Sequence, residues 1–217
     1  MDAIVLASAS PRRQDYFRLL GIPFIIKPSL REETWNDALP LEKIPEAIAA
    51  QKVLSAAESL HTENAGTTGE QAAFRWVFGA DTVVAIDGRI FGKPKDRAGA
   101  KRMISRLQSR THRVISGIVL YRLKDSRLAA KTVISEVSFA PISNTEIEWY
   151  LDTDEWKGVA GAYRAQGIAN CFISGIKGSF TNVTGLPLRE FYELLRENGY
   201  GYGAAYETRN VHTFSLR

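Results

Sequence analysis

Two serines, a proline and two adjacent arginines, Ser8, Ser10, Pro11, Arg12 and Arg13, follow directly on the apolar run AIVL at the start of the chain. A strand that ends in small residues and feeds a helix presents free backbone N–H groups at the positive end of the helix dipole, where anions bind. Ser8 and Ser10 add hydroxyl donors, and Arg12 and Arg13 add guanidinium forks that match phosphate oxygens. Cations in a first turn oppose the dipole, so two of them there favour a bound anion. The alternative is that Ser10 caps the helix and both arginines are solvated. Asp81 poses the second question, because in WVFGADTVVAI it is the one ionisable group of an apolar strand pattern. A carboxylate so placed must be paired, neutralised or bound to a metal, or else it caps a loop between two strands. Glu32 and Glu33 could add oxygens to a metal site, and Lys52 and Lys93 could add charge for phosphates. Solvated side chains are the plainer reading of all four.

The segment GAYRAQG, residues 161–167, joins an aromatic ring to an amide and so suits stacking on a base and reading its edge. A tight loop around a packed tyrosine explains the same residues. His61, His112 and His212 lack the spacing of a zinc site, and neither a Walker loop nor a G-x-G-x-x-G fingerprint is present.

The elements that must position these groups alternate in the first half of the chain. Ala3 to Ala7 reads as a buried strand, and the following helix has Ser10 as cap, Pro11 at its first position and Gly21 as its stop. A second strand is expected over Phe24 to Lys27. A long helix from about Pro45 to Leu60 has Ala47, Ala50, Leu54 and Ala57 on one stripe, with Lys52 pointing elsewhere. HTENAGTTGEQ reads as a loop. Phe74 to Phe91 predicts a central strand interrupted at GAD, then a hairpin turn at Asp87-Gly88. Asp96 caps the next helix, two strands pair through a turn near Asp125-Ser126, and Ser143 with Glu146 makes a capping box. IANCFISGIKGSFTNV predicts a hairpin turning at Lys177-Gly178. The last helix starts at Pro187 and stops at Asn198-Gly199. With hairpins dominating the second half, the class is α/β or α+β with a mixed sheet.

The chain of 217 residues carries a net charge of +4 and a single cysteine. That composition suits a globular protein in a reducing compartment with an anionic partner. There is no signal-peptide pattern and no run of about 18 apolar residues, so neither a leader nor a membrane is expected. The basic residues form no long stripe, which argues against nucleic acid.

In order and approximate spacing, LASASPRR, EAIAAQKV, GADTVV, FGKP, SRTHRVISG, GAYRAQG and NVTGLPL resemble the Maf family of nucleoside triphosphate pyrophosphatases from about Ile4 to Leu195. The resemblance implies an α/β, ITPase-like fold, an elongated mixed sheet flanked by helices with two lobes around a central cleft. The domain would span residues 1–198, with 199–217 as a tail, and a homodimer is a common state of the family. The implied reaction is hydrolysis of a nucleoside triphosphate to the monophosphate and pyrophosphate, assisted by a divalent cation, Mg2+ or Mn2+, in the cytoplasm. Asp81 matches the catalytic proton acceptor, while Arg12, Thr82 and Gln166 match positions tied to substrate choice. Ser8, Ser10, Arg13, Lys52 and Lys93 then hold the phosphates, and Glu33 with Asp81 helps position the metal. ADT and GAYxxQG look like the branch that acts on dTTP and UTP, in contrast to the 7-methyl-GTP branch. Val159 stands where the family commonly has a lysine, two residues after Lys157, and Arg164 and Ala165 replace the usual glycine and isoleucine. A nucleotide-binding regulator of septum formation is the competing reading.

Overall fold

The computed structural model describes residues 1–29, 33–36, 38–64 and 74–202. Glu32, the 65–73 stretch and residues 203–217 lie outside them. Among the described residues seven strands form one mixed sheet: β1 (Ile4–Leu6), β2 (Phe24–Ile26), β3 (Trp76–Ile86), β4 (Arg89–Phe91), β5 (Thr111–Arg122), β6 (Arg127–Phe139) and β7 (Ile173–Lys177). Their order is β2-β1-β3-β5-β6-β7, with β4 paired to the far end of β3. β1 is parallel to both β2 and β3, and the remaining pairs are antiparallel. The helices are α1 (Pro11–Leu19), α2 (Ile44–Asn64), α3 (Arg97–Leu107), α4 (Asn144–Asp152), α5 (Phe180–Val183) and α6 (Leu188–Glu197). None of the described helices is long and apolar enough to cross a membrane.

Several expected signals take effect as read. Pro11 opens α1, Gly21 turns at φ 65°, Asp96 accepts from Gly99 N, and Ser143 with Glu146 closes a capping box. Asp87 and Gly88 both have positive φ, as a two-residue hairpin turn requires. Other signals mislead. β3 is not interrupted at GAD: Gly79, Ala80 and Asp81 pair in register with Val119, Ile118 and Gly117 of β5. The hairpin expected at Lys177-Gly178 is absent. Ile168–Phe172 is a 3-10 segment, β7 pairs with β6, and the chain turns at Gly178 into α5, where Ser179 accepts from Asn182 N. The buried stripe of α2 is Ile48, Ala49, Val53, Ala56, Ala57 and Leu60, while Leu54 is exposed. That shift has a steric cause. A Cβ at Gly79 would meet Val53 Cγ2 at 2.6 Å, and one at Gly117 would meet Glu46 N at 2.2 Å, so α2 lies directly on the backbone of β3 and β5.

Strand alternation then divides the core. On one face, Val77 and Val119 pack under α2 with Ala49, Val53 and Ala56, while Val83, Ala85 and Ile115 form a separate patch further along. On the other face, Phe78, Ala80, Ile118 and Leu120 pack with Phe17 and Phe191 at one end, and Val84, Ile86 and Val114 pack with Ile104 and Tyr150 at the other. Both faces are therefore apolar on either side of one level of the sheet. At that level stand Asp81 and Gly117 on the α2 face and Thr82 and Ser116 on the opposite face. C-terminal to Asn198, Tyr200 packs edge-on to Trp76 and donates to Asp2 O at 2.7 Å.

Candidate functional site

β3 carries Asp81 in mid-strand, and α2 carries Lys52 at its close approach to Gly79. Lys52 Nζ donates to Asp81 Oδ1 at 2.6 Å and lies 2.9 Å from Glu33 Oε1. The Lys52 and Asp81 side chains are only 14% and 15% exposed, which removes the solvated reading of Lys52, and Asp81 lies within β3 rather than capping a loop between two strands. Burial pushes the Asp81 carboxyl above the usual carboxylate range, and the attraction of Lys52 and Arg13 offsets this only in part. Glu33 is exposed, so the pair is open to solvent on its side.

The first turn of α1 meets the same level of the sheet from the other face. Ser10 occupies the N-cap position but its side chain makes no capping bond, contrary to expectation. Ser8 does the local work: its Oγ accepts from Ser10 N at 3.3 Å and from Arg13 Nη1 at 3.0 Å. Arg13 is buried and also donates from Nε to Gly185 O at 3.0 Å and from Nη2 to Thr82 Oγ1 at 3.3 Å. Three of its five N–H donors thus bind protein acceptors. Gly185 has φ 106°, a backbone that glycine adopts without strain, and its carbonyl is thereby aimed at Arg13. Arg12 differs from its neighbour. Its Nε is buried without a hydrogen-bond partner, and burial, then the positive charge of Arg164, pull its guanidinium below its ordinary pKa.

Lys93 is exposed just beyond β4, and the carbonyl of the preceding Gly92 accepts from Gly161 N at 3.1 Å. That bond ties the Lys93 segment to GAYRAQG. Within the latter, Gln166 sits on an exposed turn closed by Gly167 N to Arg164 O at 3.0 Å. Tyr163 is not available to stack on a base, because it is buried against Phe139 with its hydroxyl 2.8 Å from His112 Nε2. Arg164 instead holds the loop through Glu155 O and Lys157 O, at 2.9 and 3.0 Å. Val159 is buried, and Lys157 is exposed and pairs with Asp154 at 2.6 Å.

Ser8, Arg13, Lys52, Asp81 and Thr82 are therefore brought together, with Arg12 on the same helix turn and Glu33 at the rim. Lys93 and Gln166 sit on the two segments joined at Gly92 and Gly161. Sequence reasoning passed over Ser116 and Gly185. Ser116 did have a signal, since in RVISGIV it is a lone hydroxyl in an apolar strand, the counterpart of Asp81 in β3. Among the described residues no group of three or more metal-ligating side chains occurs. Glu33 and Asp81 are two carboxylates converging on one ammonium, hard oxygen donors of the kind a magnesium-like ion takes. A cavity of about 460 Å3 lined by Phe91, Met103, Arg89 and Arg102 lies instead beside Asp87, away from these groups.

The chain matches the family model described as Maf-like protein over residues 3–198. It is 38% identical over 201 residues to the dTTP/UTP pyrophosphatase of Symbiobacterium thermophilum, covering 92% of this chain and 96% of that one. With the dTTP/UTP pyrophosphatase of Syntrophotalea carbinolica it shares 40% identity over 198 residues, 91% of this chain and 86% of that one. Among solved structures, the Staphylococcus aureus Ham1 protein aligns with a TM-score of 0.45 at 15% identity, over 64% of this chain and 72% of that chain.

Proposed function

Because the chain belongs to the Maf family, we propose that it hydrolyses dTTP and UTP to the nucleoside monophosphate and pyrophosphate. The observation that supports this most is the buried Asp81, hydrogen-bonded to Lys52 on the opposite side of the strand from the Arg13–Thr82 contact. The phosphates lie along the first turn of α1, where N–H groups without a side-chain cap, Ser8, Ser10 and the two arginines offer donors. Arg13 keeps the turn in place through Ser8, Gly185 and Thr82, which leaves two N–H donors for the anion. Lys52 and Lys93 add charge to the same end of the substrate.

Asp81 takes a proton from water as its oxygen attacks the α-phosphorus. The α–β phosphoanhydride bond breaks, and the electron pair leaves with pyrophosphate. A base whose pKa is raised is a better proton acceptor than an ordinary carboxylate, and the attraction of Lys52 opposes part of that rise. The chemistry otherwise requires alignment and charge neutralisation, which the arginines and lysines supply. Glu33 and Asp81 would hold a divalent cation, which when bound neutralises phosphate charge. Arg12, Thr82 and Gln166 are the groups proposed to choose the base.

Purified protein is to be incubated with a panel of canonical and modified triphosphates and magnesium, with pyrophosphate and orthophosphate measured separately. Pyrophosphate from dTTP and UTP, without orthophosphate, is the expected result. Nucleotide binding with no pyrophosphate from any substrate would instead leave a regulator.

A further inference from the structure

Thr82 and Ser116 stand opposite each other on β3 and β5, on the face where the two apolar lobes part. Their hydroxyl oxygens are 2.8 Å apart, and Arg13 Nη2 reaches Thr82 Oγ1 at 3.3 Å. A hydroxyl has one proton and two lone pairs, and a guanidinium only donates. Arg13 therefore occupies one lone pair of Thr82. Ser116 is completely buried, and among the described residues its hydroxyl has no hydrogen-bond partner other than Thr82. If Thr82 donated to Ser116, the Ser116 proton would be left buried with no acceptor, an arrangement that folded proteins avoid. Ser116 must donate, and it takes the second lone pair of Thr82.

We infer that Ser116 is a positioning residue which, with Arg13, turns Thr82 into an obligatory hydrogen-bond donor, so that the substrate atom recognised at Thr82 is an acceptor oxygen, the 4-carbonyl of uracil or thymine. Cytosine carries an amine at that position and would meet a hydroxyl with no lone pair to offer. Discrimination of this kind is strong because the wrong base leaves a polar group unpaired in the site. The inference rests on Thr82 lying at the base-choosing end of the proposed pyrophosphatase site.

Two substrates isolate the contact. Thymine and 5-methylcytosine have the same outline and differ only at the 4-substituent and the adjoining ring nitrogen, so the readout is the ratio of kcat/KM for dTTP over 5-methyl-dCTP. Both are measured on one sample, which makes the ratio independent of how much protein is folded. Wild-type protein is expected to favour dTTP. Ser116→Ala frees a lone pair on Thr82 and should lower the ratio about tenfold, mainly through faster turnover of 5-methyl-dCTP. Ser116→Cys keeps the size with a weaker donor and should fall between. Thr82→Val should also lower the ratio, but through loss of dTTP turnover. A ratio within about twofold of wild type in Ser116→Ala, or a proportional loss of both substrates in Thr82→Val, overturns the inference while leaving the pyrophosphatase intact. Absence of pyrophosphate from every triphosphate with wild-type protein overturns the enzyme reading, and this inference with it.

Discussion

Asp81 and Asp87 lie six residues apart, one within β3 and one at the tip of the hairpin it forms with β4, and both face cations. At the tip, Arg106 and Arg110 bond Asp87, whose side chain is 33% exposed. These hydrogen bonds pull its carboxyl down to about 2. In mid-strand, Lys52 bonds Asp81 just as closely, yet burial wins and the carboxyl is pushed up. A carboxylate that water still reaches loses little solvation when it pairs, whereas one in a strand core loses most of it, and a single ammonium returns only part. Asp87 is thereby fixed as an anion that joins a turn to a helix end. Asp81 is left with an affinity for protons that a base can use.

Breaking the buried member should have the largest effect. Asp81→Asn is expected to lower pyrophosphate release about a thousandfold without lowering the melting temperature, because the amide removes a costly buried charge. A large drop in melting temperature would show Asp81 to be a structural ion-pair partner instead. Lys52→Met tests what offsets the burial. Without the ammonium, the acid limb of the kcat/KM profile should move to higher pH, with turnover near its optimum down about thirtyfold. A limb that stays where it was would mean that Asp81 is not the titrating base.

His112 extends the comparison to a buried group with no countercharge. Burial pushes its imidazole from 6.5 down to about 4, so the folded state resists a proton that the unfolded chain accepts. Stability from neutral His112 is present above pH 6.5 and should be lost as pH falls toward 4, by about 3 kcal/mol in total. Urea midpoints at pH 7 and pH 4.5 measure this slope, which His112→Phe should largely remove. Asp87→Asn should show the least: turnover within about twofold of wild type and a small change in midpoint that shrinks as salt is added. An equal effect of salt on Asp81→Asn would erase the distinction between the two aspartates.

How far the site was legible can be followed in single residues. Asp81 was visible as a charge in an apolar run, and the arginine pair as a poor match to a helix dipole. The capping box at Ser143 and the Asp87-Gly88 turn were visible because their chemistry is complete within four residues. The α2 stripe was misread, since Leu54 is a better apolar residue than Ala49 by any local measure. Ala49 is buried because the helix lies on two glycines from different strands. Tyr163 looked like a base-stacking ring, but His112, 51 residues away in the chain, holds its hydroxyl inside.

The sequence by itself determined the alternation of strands and helices, most of the caps and turns, and which residue types carry charge where apolar ones would be expected. Those features depend on neighbours a few positions apart. Only the tertiary structure decided that Lys52 reaches Asp81, that Arg13 is spent on Ser8, Thr82 and Gly185, and that Ser116 sits under Thr82. Each of these depends on strand register and on how closely a helix approaches the sheet. Burial and hydrogen-bond pairing, which set protonation and donor direction, arise only when distant segments exclude water from one another.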